Sequence, residues 1–168
     1  VKQPLSGWMG HAKPFAFDAQ YHTSLNINQF QCGTPSVISM SALDAALDVW
    51  QDVDMLQIRN KSEALAAVFT KLINMNECLH ELILCSPDIA HQRGSQLAFS
   101  HDAAFSICQA LIEKGVIADF RAPNILRFGF TPLYTSFEDI WKAVTTLVDI
   151  VKSDLYKNPR FNIALKVT

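Results

Sequence analysis

The chain has 168 residues, of which 49% are hydrophobic and 18% are charged, and its formal net charge is −2. This composition excludes disorder caused by low hydrophobicity, and the length suits one domain of ordinary size. The charge offers no basic surface to nucleic acid or anionic lipid, and no apolar run reaches the roughly 18 residues of a membrane span. We therefore expect a globular protein with neither nucleic-acid nor membrane partners.

The cysteines and histidines follow no pattern typical of disulfides or metal sites. The four cysteines are irregularly spaced without a C-x-x-C pair, which indicates reduced thiols and a cytoplasmic protein. The five histidines lack H-E-x-x-H spacing, and the motifs G-x-S-x-G, G-x-G-x-x-G and G-x-x-x-x-G-K do not occur. The sequence thus predicts no metal site and excludes a serine hydrolase or a nucleotide-phosphate loop.

Residues 1–35 show no sustained periodicity, although they contain the aromatic side chains of Trp8, Phe15, Phe17, Tyr21 and Phe30. Irregular segments of this length inside compact domains are usually functional or packed on a partner. The chain also begins with a valine and not with a methionine. We therefore expect a portion of a longer protein, in which this segment forms an arm that lies on another domain or subunit.

Two helices are predicted next, over residues 36–52 and 55–75. In the first, apolar side chains recur every three or four positions, and the second is rich in Ala, Lys, Glu and Leu, which favour a long helix. We interpret the second helix as the spine between two domains. Residues 1–52 are then the tail of a large domain, and residues 53–168 are a small α/β domain. The predicted apolar stripes are Val37, Met40, Leu43, Leu47 and Trp50 in the first helix and Leu65, Val68, Phe69 and Leu72 in the second.

The remainder of the small domain alternates between strands and helices. Asp102 and Gly115 are positioned to cap and to end one helix, and Ser136 with Asp139 resembles a capping box that opens the last. This order predicts an α/β fold with a mixed open sheet and its helices packed on one face. Strands are predicted at residues 81–86, 96–100, 116–120 and 125–130, with a turn at 122–124.

Arg127 is a candidate binding residue because it lies between Leu126 and Phe128 in a predicted strand. A permanent charge is costly in apolar surroundings unless it meets an anion. One interpretation is a structural salt bridge with Asp119 or Glu138. The other is a guanidinium that binds a ligand carboxylate through two parallel hydrogen bonds.

Thr34 and Trp8 are the other two candidates. Thr34 precedes the first helix, so its hydroxyl could cap that helix, which is the interpretation favoured by its position, or could contact a phosphate near the helix end. Trp8 carries an indole N–H donor, and burial in a core is the ordinary explanation of such a residue. Neither residue identifies a function by itself.

Four segments, read in order, resemble the kynureninase family. They are S-G-W-M-G-H, C-G-T-P-S, R-G-S-Q-L-A-F-S-H and G-V-I-A-D-F-R-A-P-N-I-L-R-F-G-F-T-P-L-Y-T-S-F-E-D-I-W. The likeness extends over residues 5–151. The last segment is typical of kynureninases more than of pyridoxal-phosphate (PLP) enzymes at large. The recognition of these strings, and not their periodicity, carries the resemblance.

The resemblance implies the C-terminal part of a fold-type-I PLP enzyme. Such an enzyme is a homodimer with composite active sites that hydrolyses L-kynurenine or 3-hydroxykynurenine to anthranilate or 3-hydroxyanthranilate and L-alanine. Trp8 and Thr34 then match residues that contact the PLP phosphate, both across the subunit interface. Arg127 matches the arginine that binds the α-carboxylate of the substrate.

The resemblance also implies what this chain lacks. In the family, the lysine that holds the cofactor, the aspartate facing the pyridine nitrogen and the stacking aromatic residue all precede the G-W-x-G-H block, which starts here at Gly7. We therefore expect no catalytic residue in this chain and no activity of the chain alone. Two alternatives are a non-catalytic interaction domain and another PLP enzyme such as a cysteine desulfurase, against which the last segment argues.

Overall fold

The computed structural model describes residues 3–163. The chain divides into two compact units, Val1–Asp52 and Val53–Thr168, called below the N-terminal unit and the C-terminal unit. None of the helices among the described residues is both long enough and apolar enough to cross a membrane.

Over residues 3–52 the N-terminal unit contains short turns of 3₁₀ helix and one α-helix. The 3₁₀ turns cover Trp8–Gly10 and Ile27–Phe30, and the helix α1 covers Val37–Leu47 before a third 3₁₀ turn at Asp48–Trp50. The predicted helix over residues 36–52 is thus confirmed in position, but its last turn is wound more tightly. Such 3₁₀ endings are frequent where an α-helix terminates.

The apolar side chains of α1 remain exposed in this unit. The exposed fraction is 73% for Val37, 54% for Met40 and 51% for Leu43. Among the described residues of the N-terminal unit, only Gly10 is buried. The unit therefore holds its conformation mainly through backbone hydrogen bonds and turns, and the predicted apolar stripe is present without a cover inside the unit.

Over residues 53–163 the C-terminal unit contains three α-helices and four strands. Its helices are α2 at Met55–Asn74, α3 at Ala104–Glu113 and α4 at Phe137–Lys152. Its strands are β1 at Ile83–Leu84, β2 at Gln96–Ser100, β3 at Asp119–Arg121 and β4 at Ile125–Gly129. The long helix α2 and the strand β2 agree with the predicted bounds within one residue.

The sheet has the order β1-β2-β4-β3, and each of its three strand pairs is antiparallel. The α/β class is confirmed, whereas the prediction of a mixed sheet is wrong. A strand–helix–strand order gives a parallel pair only if the strand that follows the helix lies beside the one before it. Here β4, and not β3, lies beside β2, and β3 and β4 form a hairpin at the edge.

The helices pack on one face of this sheet, as predicted. Phe69 of α2 contacts Phe99 and Phe128, with ring centroids 6.0 and 4.7 Å away, and Phe105 of α3 contacts Phe120 at 5.3 Å. These strand residues share one face because side chains alternate along a strand and Cα partners point the same way. The opposite face carries Arg127 with its strand neighbours. The core therefore lies between the helices and one side of the sheet.

Local signals for the ends of two helices are confirmed. Gly115 has φ of 83°, the left-handed conformation that glycine adopts at low cost, and it follows α3. The Ser136 side chain accepts from the Asp139 backbone N–H, and the Asp139 carboxylate accepts from the Ser136 backbone N–H. This reciprocal capping box begins α4.

Other local predictions are wrong. Strand β1 is much shorter than the predicted residues 81–86, and β3 starts later than the predicted residues 116–120. Asp102 does not cap α3. Instead the backbone N–H of Ala103 donates to Nδ1 of His101 at 2.9 Å, so an imidazole supplies the acceptor at the start of this helix. His101 is 9% exposed, and its Nε2 lies 3.3 Å from the Glu81 carboxylate.

Candidate functional site

Trp8 lies in a 3₁₀ turn and is not a core residue of its unit. Its side chain is 48% exposed and packs edge-on against Phe15 with the ring centroids 5.3 Å apart. The ordinary explanation of a buried tryptophan therefore does not apply within the N-terminal unit. The large aromatic ring is accessible to a ligand or to another protein surface.

Gly7, which precedes Trp8, packs so closely on another segment of the chain that its position has no space for a side chain. A Cβ atom added at Gly7 would collide with the backbone carbonyl of Cys32. The contact is supported by Tyr21, whose hydroxyl donates to the Gly7 carbonyl at 3.0 Å, and by the Cys32 thiol, which lies 3.3 Å from the Leu5 carbonyl oxygen. The segment that carries Trp8 is thus held against the segment that leads to Thr34.

Thr34 is exposed and does not cap α1. The cap is Ser36, whose side-chain oxygen accepts from the backbone N–H of Ser39 at 3.4 Å. The favoured interpretation of Thr34 as a helix cap is therefore wrong, and Ser36 is the residue that sequence reasoning missed. Because serine is a preferred N-cap and stands at the first turn, the sequence did contain the signal. Thr34 is two positions before that cap, near the positive end of the helix dipole.

Arg127 occupies the middle of β4 on the face of the sheet that the helices leave open. Its Cα partners are Ala98 on β2 and Asp119 on β3. The Nη2 atom of Arg127 contacts a carboxylate oxygen of Asp119, while Glu138 pairs with Lys142 at 2.7 Å. Of the two predicted salt bridges, the one with Asp119 is confirmed and the one with Glu138 is wrong.

One nitrogen of this guanidinium is both buried and without an acceptor among the described residues. The Nε atom of Arg127 is buried and has no hydrogen-bond partner among the described residues, although the side chain as a whole is 25% exposed. A buried donor without an acceptor costs free energy. The arrangement therefore leaves Arg127 able to donate to one more anionic or polar group.

The charges around Arg127 leave a net positive cluster. Arg121 also approaches Asp119, with its Nε 3.8 Å from the carboxylate, so that two guanidinium groups share one carboxylate. We call Asp119, Arg121 and Arg127 the β3–β4 charge cluster. Its formal charge of +1 suits a monoanionic ligand group such as a carboxylate.

The C-terminal unit also has a cavity of about 650 Å³, which is separate from Arg127. It is lined by the core aromatic residues Phe69, Phe128 and Phe130, with Lys114 and Asp139 among the polar groups, and Arg127 is not one of its lining residues. Among residues 3–163 there is also no group of three or more His, Cys, Asp or Glu side chains placed to hold a metal ion. What Trp8, Thr34 and Arg127 share is that each carries a hydrogen-bond donor.

The fold and these residues define a small α/β domain with an antiparallel sheet, one face of which carries Arg127 paired with Asp119. The family model described as "Kynureninase C-terminal domain" matches residues 58–147. The chain therefore belongs to the kynureninase C-terminal domain family. The matched region includes the whole β3–β4 charge cluster.

Similar proteins extend this comparison to the N-terminal unit. The kynureninases of Burkholderia mallei (strain SAVP1) and Burkholderia pseudomallei (strain K96243) are each 46% identical to the chain over 167 residues, which is 99% of its length. The kynureninase of Pseudomonas fluorescens is 41% identical over 168 residues. The chain spans about 40% of the length of each of these relatives.

Proposed function

We propose that this chain is the C-terminal portion of a PLP-dependent kynureninase, in which Arg127 binds the α-carboxylate of L-kynurenine or 3-hydroxykynurenine. The observation that carries the proposal is the buried, unpartnered Nε of Arg127 in a cluster of net positive charge. A substrate carboxylate would supply the missing acceptor and balance the charge. Kynurenine is an α-amino acid and carries such a carboxylate on its α-carbon, next to the β-carbon whose bond to the γ-carbonyl carbon is hydrolysed.

The binding role of Arg127 would also orient the substrate. A guanidinium presents planar donors, so a carboxylate bound to it has a defined plane and direction. Fixing the carboxylate fixes the rotation of the α-carbon and so determines which of its bonds is aligned for reaction. The rigid strand position of Arg127, between two paired strands, suits such a role better than a loop position would.

The residues of the N-terminal unit fit the phosphate of PLP by their chemistry. Trp8 offers an indole N–H on a half-exposed ring, and Thr34 offers a hydroxyl near the amino end of α1. The contact of Gly7 with Cys32 holds the two segments together, as a shared phosphate would require. When bound, PLP supplies an electron sink for chemistry at the α-carbon of an amino acid.

We further propose that the N-terminal unit is the tail of a large PLP-binding domain and reaches a neighbouring subunit of a homodimer. The exposed apolar side chains of α1 and of the preceding arm support this proposal, because contiguous apolar surface typically marks an interface. Trp8 and Thr34 would then contribute to the cofactor site of the partner. The cofactor-holding lysine is expected on a segment that precedes Gly7 in the family.

The decisive experiment is Arg127→Ala in the complete protein, measured by kynurenine turnover and by PLP content. Loss of a charge-assisted carboxylate contact should raise KM roughly 10- to 100-fold while PLP remains bound. Arg160→Ala is a matched control, since Arg160 pairs with Glu113 at 2.8 Å on another part of the unit. Loss of PLP with unchanged substrate affinity would contradict the role of Arg127.

Two further measurements test the cofactor part of the proposal. Trp8→Phe keeps an aromatic ring but removes the N–H, so PLP should bind more weakly while Arg127-dependent substrate affinity persists. The 168-residue chain by itself should release no anthranilate. Measurable turnover by that chain would show that the required nucleophile is present in it.

A further inference from the structure

We propose that Asp119 is a positioning residue, which holds the Arg127 guanidinium so that its remaining donors face the substrate carboxylate. The inference rests on the proposed function of Arg127 and extends it to a second residue on the neighbouring strand. Asp119 itself would not contact the substrate. It would act through the one arginine that does.

The strand register places the two residues opposite each other. Asp119 and Arg127 are Cα partners in the antiparallel pair of β3 and β4, so both side chains leave the same face of the sheet. Phe120 and Leu126, the next pair, point to the helix-covered face. The ladder thus fixes the position of the carboxylate relative to the arginine without help from any flexible loop.

The contact uses one part of the guanidinium and leaves another free. Asp119 engages Nη2, whereas Nε is buried and has no partner among the described residues. A guanidinium is planar, so a contact at one terminal nitrogen restricts the rotation of the whole group and fixes the direction of the Nε–H. A carboxylate that approaches the exposed quarter of the Arg127 side chain would find the remaining donors already oriented.

The charge balance explains why a second carboxylate can be accepted beside the first. Asp119 alone would neutralise Arg127 and would repel an incoming anion. Arg121 also approaches Asp119, with its Nε 3.8 Å from the carboxylate, and returns the cluster to a net positive charge. The net charge of the β3–β4 charge cluster is therefore neutralised when one further negative charge binds.

A purely structural ion pair would not account for all of these observations. Exposed ion pairs add little to stability, and the Asp119 side chain is 49% exposed. A structural pair also gives no reason for the buried nitrogen that remains without a partner. A substrate carboxylate bound to the Arg127 guanidinium would give the pair and the unused nitrogen a single explanation.

The test is a double-mutant cycle in the complete protein, with steady-state kinetics on kynurenine. Asp119→Ala should raise KM about three- to tenfold, with kcat changed less than about twofold, because orientation of the binding group is lost. Asp119→Asn keeps an oxygen that can accept from Nη2, so it should recover part of this loss. In the Arg127→Ala background, Asp119→Ala should have no further effect on KM.

A matched control comes from Glu113, which pairs with Arg160 away from the site and whose side chain is 43% exposed, against 49% for Asp119. Glu113→Ala should leave KM unchanged, and PLP content with the melting temperature should report folding for every variant. An effect of Asp119→Ala that persists at full size without Arg127, or an unchanged KM in Asp119→Ala, would overturn the positioning role. If Arg127→Ala itself leaves KM unchanged, the proposed function fails as well, so the two failures are distinguishable.

Discussion

The rings of Phe69 on α2 and Phe128 on β4 lie 4.7 Å apart between centroids, where the helix layer meets the sheet. Phe69 also contacts Phe99 and Phe130, at 6.0 and 5.3 Å, and it is only 1% exposed. A single residue of the long helix thus contacts both central strands and the segment that follows them. The position of α2 on the sheet depends on this aromatic group.

Phe69→Ala should therefore lower the free energy of unfolding by about 3–5 kcal/mol, the usual cost of truncating a buried phenylalanine. Urea unfolding followed by circular dichroism would measure the change. Ile117→Ala is a suitable control because Ile117 is 79% exposed, and it should change stability by less than about 0.5 kcal/mol. A loss below about 1 kcal/mol for Phe69→Ala would contradict this view of the core.

His101→Phe should cost about 1–3 kcal/mol in unfolding free energy, because the ring is retained while the Ala103 N–H loses its acceptor. Asp102→Ala should have little effect, since Asp102 is not the cap of α3. Chemical denaturation of the two variants would compare them directly. An equal loss of unfolding free energy in the two variants would contradict the assignment of this role to His101 and not to Asp102. Nitrogen NMR of His101 should also show the proton on Nε2, as required if Nδ1 accepts.

The capping box of α4 predicts a specific dependence of stability on pH. The Ser136 backbone N–H, and then its hydroxyl, hold the pKa of Asp139 below its ordinary value of 3.8. A lowered pKa in the folded state means that this contribution is present above the ordinary pKa and is lost as the pH falls through the lowered one. Asp139→Asn should therefore weaken the acid dependence of the unfolding free energy below about pH 5. An unchanged pH profile in that variant would contradict the prediction.

The cysteines should differ in reactivity. Burial, with a smaller effect of the Asp119 charge, raises the pKa of the Cys108 thiol from 9.0 to about 11. At pH 8 only about one thiol in a thousand would be ionised at that pKa, and the thiolate is the nucleophile. Iodoacetamide followed by mass spectrometry should label the exposed Cys85 first and Cys108 only on unfolding. Labelling of Cys108 as fast as Cys85 in the folded chain would contradict this expectation.

Features set by neighbouring residues could be predicted from the sequence. The bounds of α2, the left-handed Gly115 and the capping box at Ser136 follow from periodicity, backbone freedom and side-chain acceptors within a few positions. The antiparallel order could not, because it depends on which distant strand lies beside β2. His101 was missed because an imidazole is not among the usual capping groups.

The candidate site, too, could be predicted from the sequence only in part. The strand position of Arg127 predicts either a ligand carboxylate or a salt bridge with Asp119 or Glu138, and the contact with Asp119 is the one that is confirmed. The unpartnered Nε could not be predicted, because it depends on the burial of one atom. The contact between Gly7 and the carbonyl of Cys32 joins segments far apart in the chain, and no motif rule indicates it. The proposed roles of Trp8 and Thr34 rest on family resemblance.

The lengths of the edge strands bear on how this domain behaves at high concentration. The central strands β2 and β4 have five residues each, whereas β1 has two and β3 has three. Unpaired backbone N–H and C=O groups at a sheet edge are a template for another strand, and short, charged edges blunt it. With Asp119 and Arg121 on β3, that edge offers little to a growing aggregate. The two charged residues that neighbour Arg127 thus also protect the edge of the sheet from the strands of other copies.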